Sequence, residues 1–129
     1  MSDTSQYFKS SYGDQLAYKI SNHNSEITLF FFGGYASAMT GTKATNLNNW
    51  TQKQKINLVR FDYSGHGEST GNFKDGTVTK WSSEAGEIFH RFKTKKNILV
   101  GSSMGGWISL LVLRKNFNDI NGFIGIASA

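Results

Sequence analysis

The 129 residues contain no cysteine and no proline. Without cysteine there is no disulfide framework, no thiolate nucleophile and no cysteine-ligated metal site. The missing proline, beside many Asn, Lys, Ile and Phe residues, is what AT-rich coding produces, and it carries no chemistry. No apolar run approaches the roughly 18 residues of a membrane span. The opening MSDTSQYFKS also lacks the basic segment and apolar run of a secretory leader. Charge is sparse as well. The net charge of +5 comes from dispersed lysines, and only KTKK at 93–96 forms a cluster. No arginine or aromatic stripe accompanies that cluster, so it reads as a solvated helix end and not as a nucleic-acid surface. These absences predict a soluble, cytoplasmic protein with no metal or organic cofactor, no nucleic-acid partner and no membrane span.

What is present is apolar and aromatic. Hydrophobic residues make up 38% and charged residues 18%, with Phe 10, Tyr 5 and Trp 3, which excludes a disordered chain. A chain of this length buries roughly two thirds of its unfolded surface. No linker, repeat or low-complexity segment interrupts it, so the expectation is one domain over residues 1–129.

Short β-branched and aromatic runs alternate with amphipathic segments. QYFKS and QLAYKIS flank SYGD, the pattern of an antiparallel hairpin. EITLFFF, INLVRFD and NILVG are near-continuous apolar runs, as expected of parallel strands covered on both faces. Two predicted helices lie between them and a third follows the last. The first covers Thr42 to Lys53, with Ala44, Leu47 and Trp50 as its apolar side. The second covers Thr79 to Lys93, with Trp81, Ala85, Ile88, Phe89 and Phe92 facing the core and Glu84, Glu87 and Arg91 opposite. The third, from about Met104 to Asn116, is apolar nearly all round and is expected to be buried. INGFIGIASA then gives a last strand. The fold class is α/β: a mostly parallel sheet with an N-terminal antiparallel hairpin.

The chemistry concentrates in NILVGSSMGGWISLLVLRK, residues 97–115. A sharp strand-to-helix turn brings together the residues two before and two after its apex, so both must be small. Around Ser103 these are Gly101 and Gly105; around Ser102 they are Val100 and Met104. Ser103 is therefore the predicted apex of a GxSxG nucleophile elbow, with the helix N-terminus beneath it favouring negative charge. An oxyanion hole needs a second donor from the loop after the third strand, here FFFGGYASAMTG. The backbone N–H groups of Tyr35 and Met104 are the predicted pair. RFDYSGHGEST is a tight loop in which Asp62 satisfies backbone donors. His66 is read there as a structural turn residue, and His23 and His90 as surface residues. A phosphate-binding reading of the Gly101–Gly106 turn fails, because GSSMGG fits neither GxGxxG nor GxxxxGKS.

Together FFFGGY, RFDYSGHGES and VGSSMGG resemble the α/β-hydrolase superfamily over nearly the whole chain, and more narrowly its branch of small serine esterases and thioesterases. The resemblance implies Ser103 as nucleophile, Tyr35 and Met104 N–H as oxyanion hole, and a small-molecule acyl ester or thioester as substrate. Gly33 stands where this branch often has proline, which would loosen the loop.

The triad order in this superfamily is Ser, then Asp or Glu, then His. Residues 104–129 contain Asp119 but no histidine, and all three histidines precede Ser103. Asp119 is expected on the sheet edge away from the elbow. The expectation is a sheet truncated after about its sixth strand, with negligible turnover by these residues alone. Its alternative is a non-catalytic remnant or split-hydrolase half, self-associating or pairing with a C-terminal polypeptide through the exposed last strand.

Overall fold

A computed structural model describes residues 4–127. The predicted opening hairpin is formed by β1 (Gln6–Lys9) and β2 (Gln15–Ser21), with Gly13 supplying the positive φ of the turn. Then follow β3 (Ile27–Phe32), α1 (Thr42–Gln54), β4 (Asn57–Phe61), α2 (Val78–Phe92), β5 (Lys96–Ser102), α3 (Met104–Lys115) and β6 (Gly122–Ile126). Residues 128 and 129 of the predicted last strand lie outside the described residues.

The sheet order is β1-β2-β4-β3-β5-β6. β1, β2 and β4 pair antiparallel, while β4, β3, β5 and β6 run parallel, as the α/β reading requires. The apolar runs are buried on both faces because alternate residues serve separate cores. Leu29, Phe31, Leu58 and Val100 pack with Ala44 of α1 on one face. Phe30, Phe32, Val59, Phe61 and Leu99 pack with α2 and α3 on the other.

Three helix faces differ from expectation. In α1 the buried side is Ala44, Asn48 and Thr51, and Trp50 is half exposed. The i, i+4, i+7 spacing selects that stripe, and polar side chains are accepted there because the Ser21 hydroxyl donates to Asn48 Oδ1 at 2.8 Å. In α2 the core stripe of Trp81, Ala85, Ile88 and Phe89 is as predicted, but Glu84 lies within it, fully buried. In α3 one side is solvent-facing, with Trp107 46% and Leu110 48% exposed.

α2 begins where Thr77 accepts the Lys80 N–H with its side chain at 3.0 Å. Its Gly86 meets no atom within 4 Å of an added Cβ. Gly86→Ala is therefore expected to stabilise the protein by about 0.5–1 kcal/mol, through a smaller entropy loss on folding. Urea unfolding measures this, and a lower midpoint for the variant would contradict it.

Candidate active site

The register of β3 on β5 sets the site. Phe32 lies opposite Gly101, so the loop leaving β3 emerges beside the turn leaving β5. Ser103 occupies that turn with φ 56° and ψ −121°, a conformation that non-glycine residues rarely adopt. Two backbone bonds hold it: the Ser103 N–H donates to Ile126 O of β6, and the Ser103 C=O accepts the Gly106 N–H, both at 2.9 Å. A Cβ on Gly105 would collide with the carbonyl oxygen of Phe32, and one on Gly101 with that of Gly105. The steric reason for placing the apex at Ser103 therefore holds.

The two serines part company in burial. Ser102 is the buried last residue of β5, whereas Ser103 is exposed at the head of α3. Among the described residues its hydroxyl is not used as a helix cap, so the Oγ is left free, and of the first-turn amides of α3 the Gly106 N–H is already bonded to the Ser103 carbonyl. On the other side of the turn, a Cβ built on Gly34 would lie 3.4 Å from Ser103 Cβ, so the loop passes against the elbow. Among the described residues neither the Tyr35 N–H nor the Met104 N–H has a hydrogen-bond acceptor, while the neighbouring amides of Ala36, Ser37 and Ser103 all do.

The loop is bound mainly by the RFDYSGHGEST segment. Tyr63 Oη donates to Gly33 O at 2.9 Å, and the Ala36 N–H donates to His66 Nε2 at 3.0 Å. The Met39 N–H donates to Asp62 Oδ1 at 2.8 Å, and Arg60 Nη1 to Met39 O at 3.2 Å. The second Asp62 oxygen accepts the Glu68 N–H at 3.0 Å, so Asp62 does satisfy backbone donors. Burial pushes its carboxyl up, while the Glu68 and Met39 N–H groups pull it down less strongly. Gly33, standing where the resemblance has proline, is tethered through its carbonyl.

Sequence reasoning identified Asp62 but missed Arg60, Tyr63 and Glu84. The signals were available: Arg60 interrupts an otherwise apolar strand, and Glu84 stands three residues after Trp81 on the core stripe. Glu84 Oε1 accepts the Ser64 N–H at 2.9 Å, and Oε2 is buried without a partner among the described residues. Burial pushes its carboxyl above the ordinary value of 4.5, opposed chiefly by the hydrogen bond from Ser64. The folded state thus holds the proton to higher pH than the unfolded chain does. Glu84 favours folding most below pH 4.5, and that contribution is lost as pH rises through the raised value. Glu84→Gln, which cannot titrate, is expected to lose less stability than the native chain on going from pH 4.5 to neutrality. Urea midpoints across that interval test this, and parallel curves would contradict it.

The remaining titratable candidates lie away from the elbow. The His23 N–H bonds Asn57 at the start of β4, and His90 sits in the last turn of α2, just ahead of β5. Both therefore belong to the sheet edge opposite the elbow. His90 is exposed as expected, but His23 is half-buried, with Nε2 enclosed. Asp119 is on that far edge too, its carboxylate 3.0 Å from Lys93 Nζ and its carbonyl accepting from Asn97 at the start of β5. A cavity of about 190 Å³ beside the loop is lined by Gly34, Ser37, Thr42, Lys43 and Ser102 among others. It is smaller than the roughly 300–1,000 Å³ of ligand pockets.

The sequence profile described as serine aminopeptidase, S33 matches residues 23–129. Human palmitoyl-protein thioesterase ABHD10, mitochondrial, is 37% identical over 101 residues, which is 78% of this chain and 33% of that protein. The structure of mouse alpha/beta hydrolase domain-containing protein 10 superposes with a TM-score of 0.92 at 34% identity, covering 98% of this chain and 50% of that one. Est1E from Butyrivibrio proteoclasticus, solved with ferulic acid, shares the fold with a TM-score of 0.81 at 20% identity, over 92% of this chain and 50% of its own. The chain thus spans about a third of the curated relatives' length and half of these solved structures. The human, orangutan and bovine relatives are all mitochondrial, which overturns the cytoplasmic expectation drawn from the absence of a leader in MSDTSQYFKS. A profile match over most of the length, a relative above one-third identity and the close superposition on the mouse structure lead to one conclusion: this chain belongs to the serine aminopeptidase S33 family of α/β-hydrolases.

Proposed function

We propose that this chain supplies the nucleophile and oxyanion-binding half of a serine hydrolase acting on carboxylic esters or thioesters. The observation that carries the reading is the exposed, strained Ser103, held against a loop whose Tyr35 N–H, like that of Met104, lacks an acceptor among the described residues. Ser103 Oγ attacks the acyl carbonyl as a base removes its proton. The carbonyl oxygen takes the negative charge between the Tyr35 and Met104 N–H groups, aided by the α3 dipole. Collapse of the tetrahedral intermediate expels the alcohol or thiol and leaves the acyl group on Ser103, from which water then releases the acid. Relatives that are palmitoyl-protein thioesterases favour a fatty-acyl thioester among the candidate substrates.

The base is not one of the three histidines in the sequence. His66 uses both ring nitrogens, one toward Ala36 and one toward Ser64, and His23 and His90 lie at the opposite sheet edge. It comes from polypeptide outside residues 1–129. The exposed Ile124 and Ile126 on β6, together with Trp107 and Leu110 of α3, favour a second reading on the same chemistry: a half completed by a separate C-terminal chain docking along β6.

The test is turnover of a p-nitrophenyl ester and an acyl thioester by the chain alone and by the chain joined to the C-terminal half of the mouse relative. Hydrolysis is expected only from the joined protein. Equal rates from both would sink the proposal that the base is supplied from outside.

A further inference from the structure

His66 is 4% exposed, and its ring lies among Trp81, Phe73 and Tyr63, with centroids 5.0, 5.2 and 5.4 Å away. Its hydrogen bonds fix its tautomer. The Ala36 N–H can only donate, so Nε2, 3.0 Å away, must carry the lone pair; the Ser64 carbonyl can only accept, so Nδ1, also 3.0 Å away, must carry the hydrogen. Ser64 is itself held at both ends of its backbone. Its carbonyl also accepts Trp81 Nε1–H at 3.2 Å, and its N–H donates to the buried Glu84 carboxylate. A continuous chain of bonds therefore runs from α2 through the Ser64 peptide and the His66 ring to the amide of Ala36, the residue after the Tyr35 donor.

We propose that His66 is a positioning residue for the oxyanion loop. A neutral, Nδ1-protonated imidazole fixes the Ala36 amide, and so keeps the Tyr35 N–H beside Ser103 in the absence of substrate. Ala36 has φ 57°, a left-handed conformation unfavourable for alanine, so the loop needs such a tether to persist. The catalytic consequence rests on the oxyanion reading of Tyr35 given above; the tautomer and the tether do not.

The experiment is nitrogen-15 NMR of the His66 ring, with amide hydrogen exchange at Ala36, in the native chain and in His66→Gln and His66→Phe. Glutamine extends an acceptor oxygen to about the position of Nε2, whereas phenylalanine keeps the ring and removes the acceptor. The expected result is a neutral Nδ1–H ring and an Ala36 amide that exchanges about tenfold faster in His66→Phe, with protection recovered in His66→Gln. In the joined enzyme the same loss should appear as a lower kcat with little change in KM, rescued by His66→Gln. A ring protonated on Nε2 in the native chain overturns the proposal, and so does unchanged Ala36 exchange in a folded His66→Phe. If His66→Phe does not fold, the native tautomer and the His66→Gln exchange rate still decide. Failure of the Ser103 reading alone would leave the NMR result intact and abolish only the kinetic one.

Discussion

Gly105→Ala is expected to leave no cooperatively folded protein. The added methyl would overlap the carbonyl oxygen of Phe32 at the end of β3, and nothing flexible stands between them to move aside. Relief would require α3 to lift away from the sheet, exposing Ile108 and Val112, which are now buried against it. Overpacking of this kind against backbone costs about 3 kcal/mol or more, a large fraction of a small domain's stability. Far-ultraviolet circular dichroism with urea titration checks the outcome, and a folded Gly105→Ala with a native midpoint would mean that the elbow is not built as described. The contrast with Gly86→Ala separates the two causes. Both substitutions add one methyl to a helix, and only the one facing the sheet backbone is harmful.

Ser103→Ala is expected to lower turnover by the joined enzyme about a millionfold while leaving its stability unchanged or slightly altered, since removing a serine nucleophile costs about that much in a comparable triad. The residual rate over water would come from the oxyanion donors and substrate binding alone. Ser102→Ala should keep near-native turnover, because Ser102 is the buried end of β5, 6% exposed, and does not stand at the apex of the turn. Initial rates for the two variants check this. A large loss with Ser102→Ala and a small one with Ser103→Ala would reverse the assignment.

The fold was largely legible because buried parallel strands write themselves as unbroken apolar runs. ITLFFF serves two cores by alternation, Leu29 and Phe31 facing α1 while Phe30 and Phe32 face α2 and α3. The elbow was legible for a similar reason: two glycines flank one serine and not the other, and the backbone leaves no space for a Cβ at either. The network behind the loop was not legible. Tyr63 and His66 act on a segment about 30 residues earlier in the chain, and no local periodicity encodes a hydrogen bond across that separation. Glu84 was misplaced because its charge was read as a solvent preference, although its spacing put it on the Trp81 stripe and a loop N–H supplied its partner. The solvent-facing side of α3 was misread for the opposite reason, since Trp107 and Leu110 are apolar yet face outward.

Ser103, and not its neighbour, is the proposed nucleophile. A fluorophosphonate probe incubated with the joined protein, followed by peptide mass spectrometry, tests this directly. The phosphonyl adduct should map to Ser103, persist in Ser102→Ala and vanish in Ser103→Ala; an adduct on Ser102, or equal labelling of Ser103→Ala and the native protein, would mean that Ser103 is not the nucleophile.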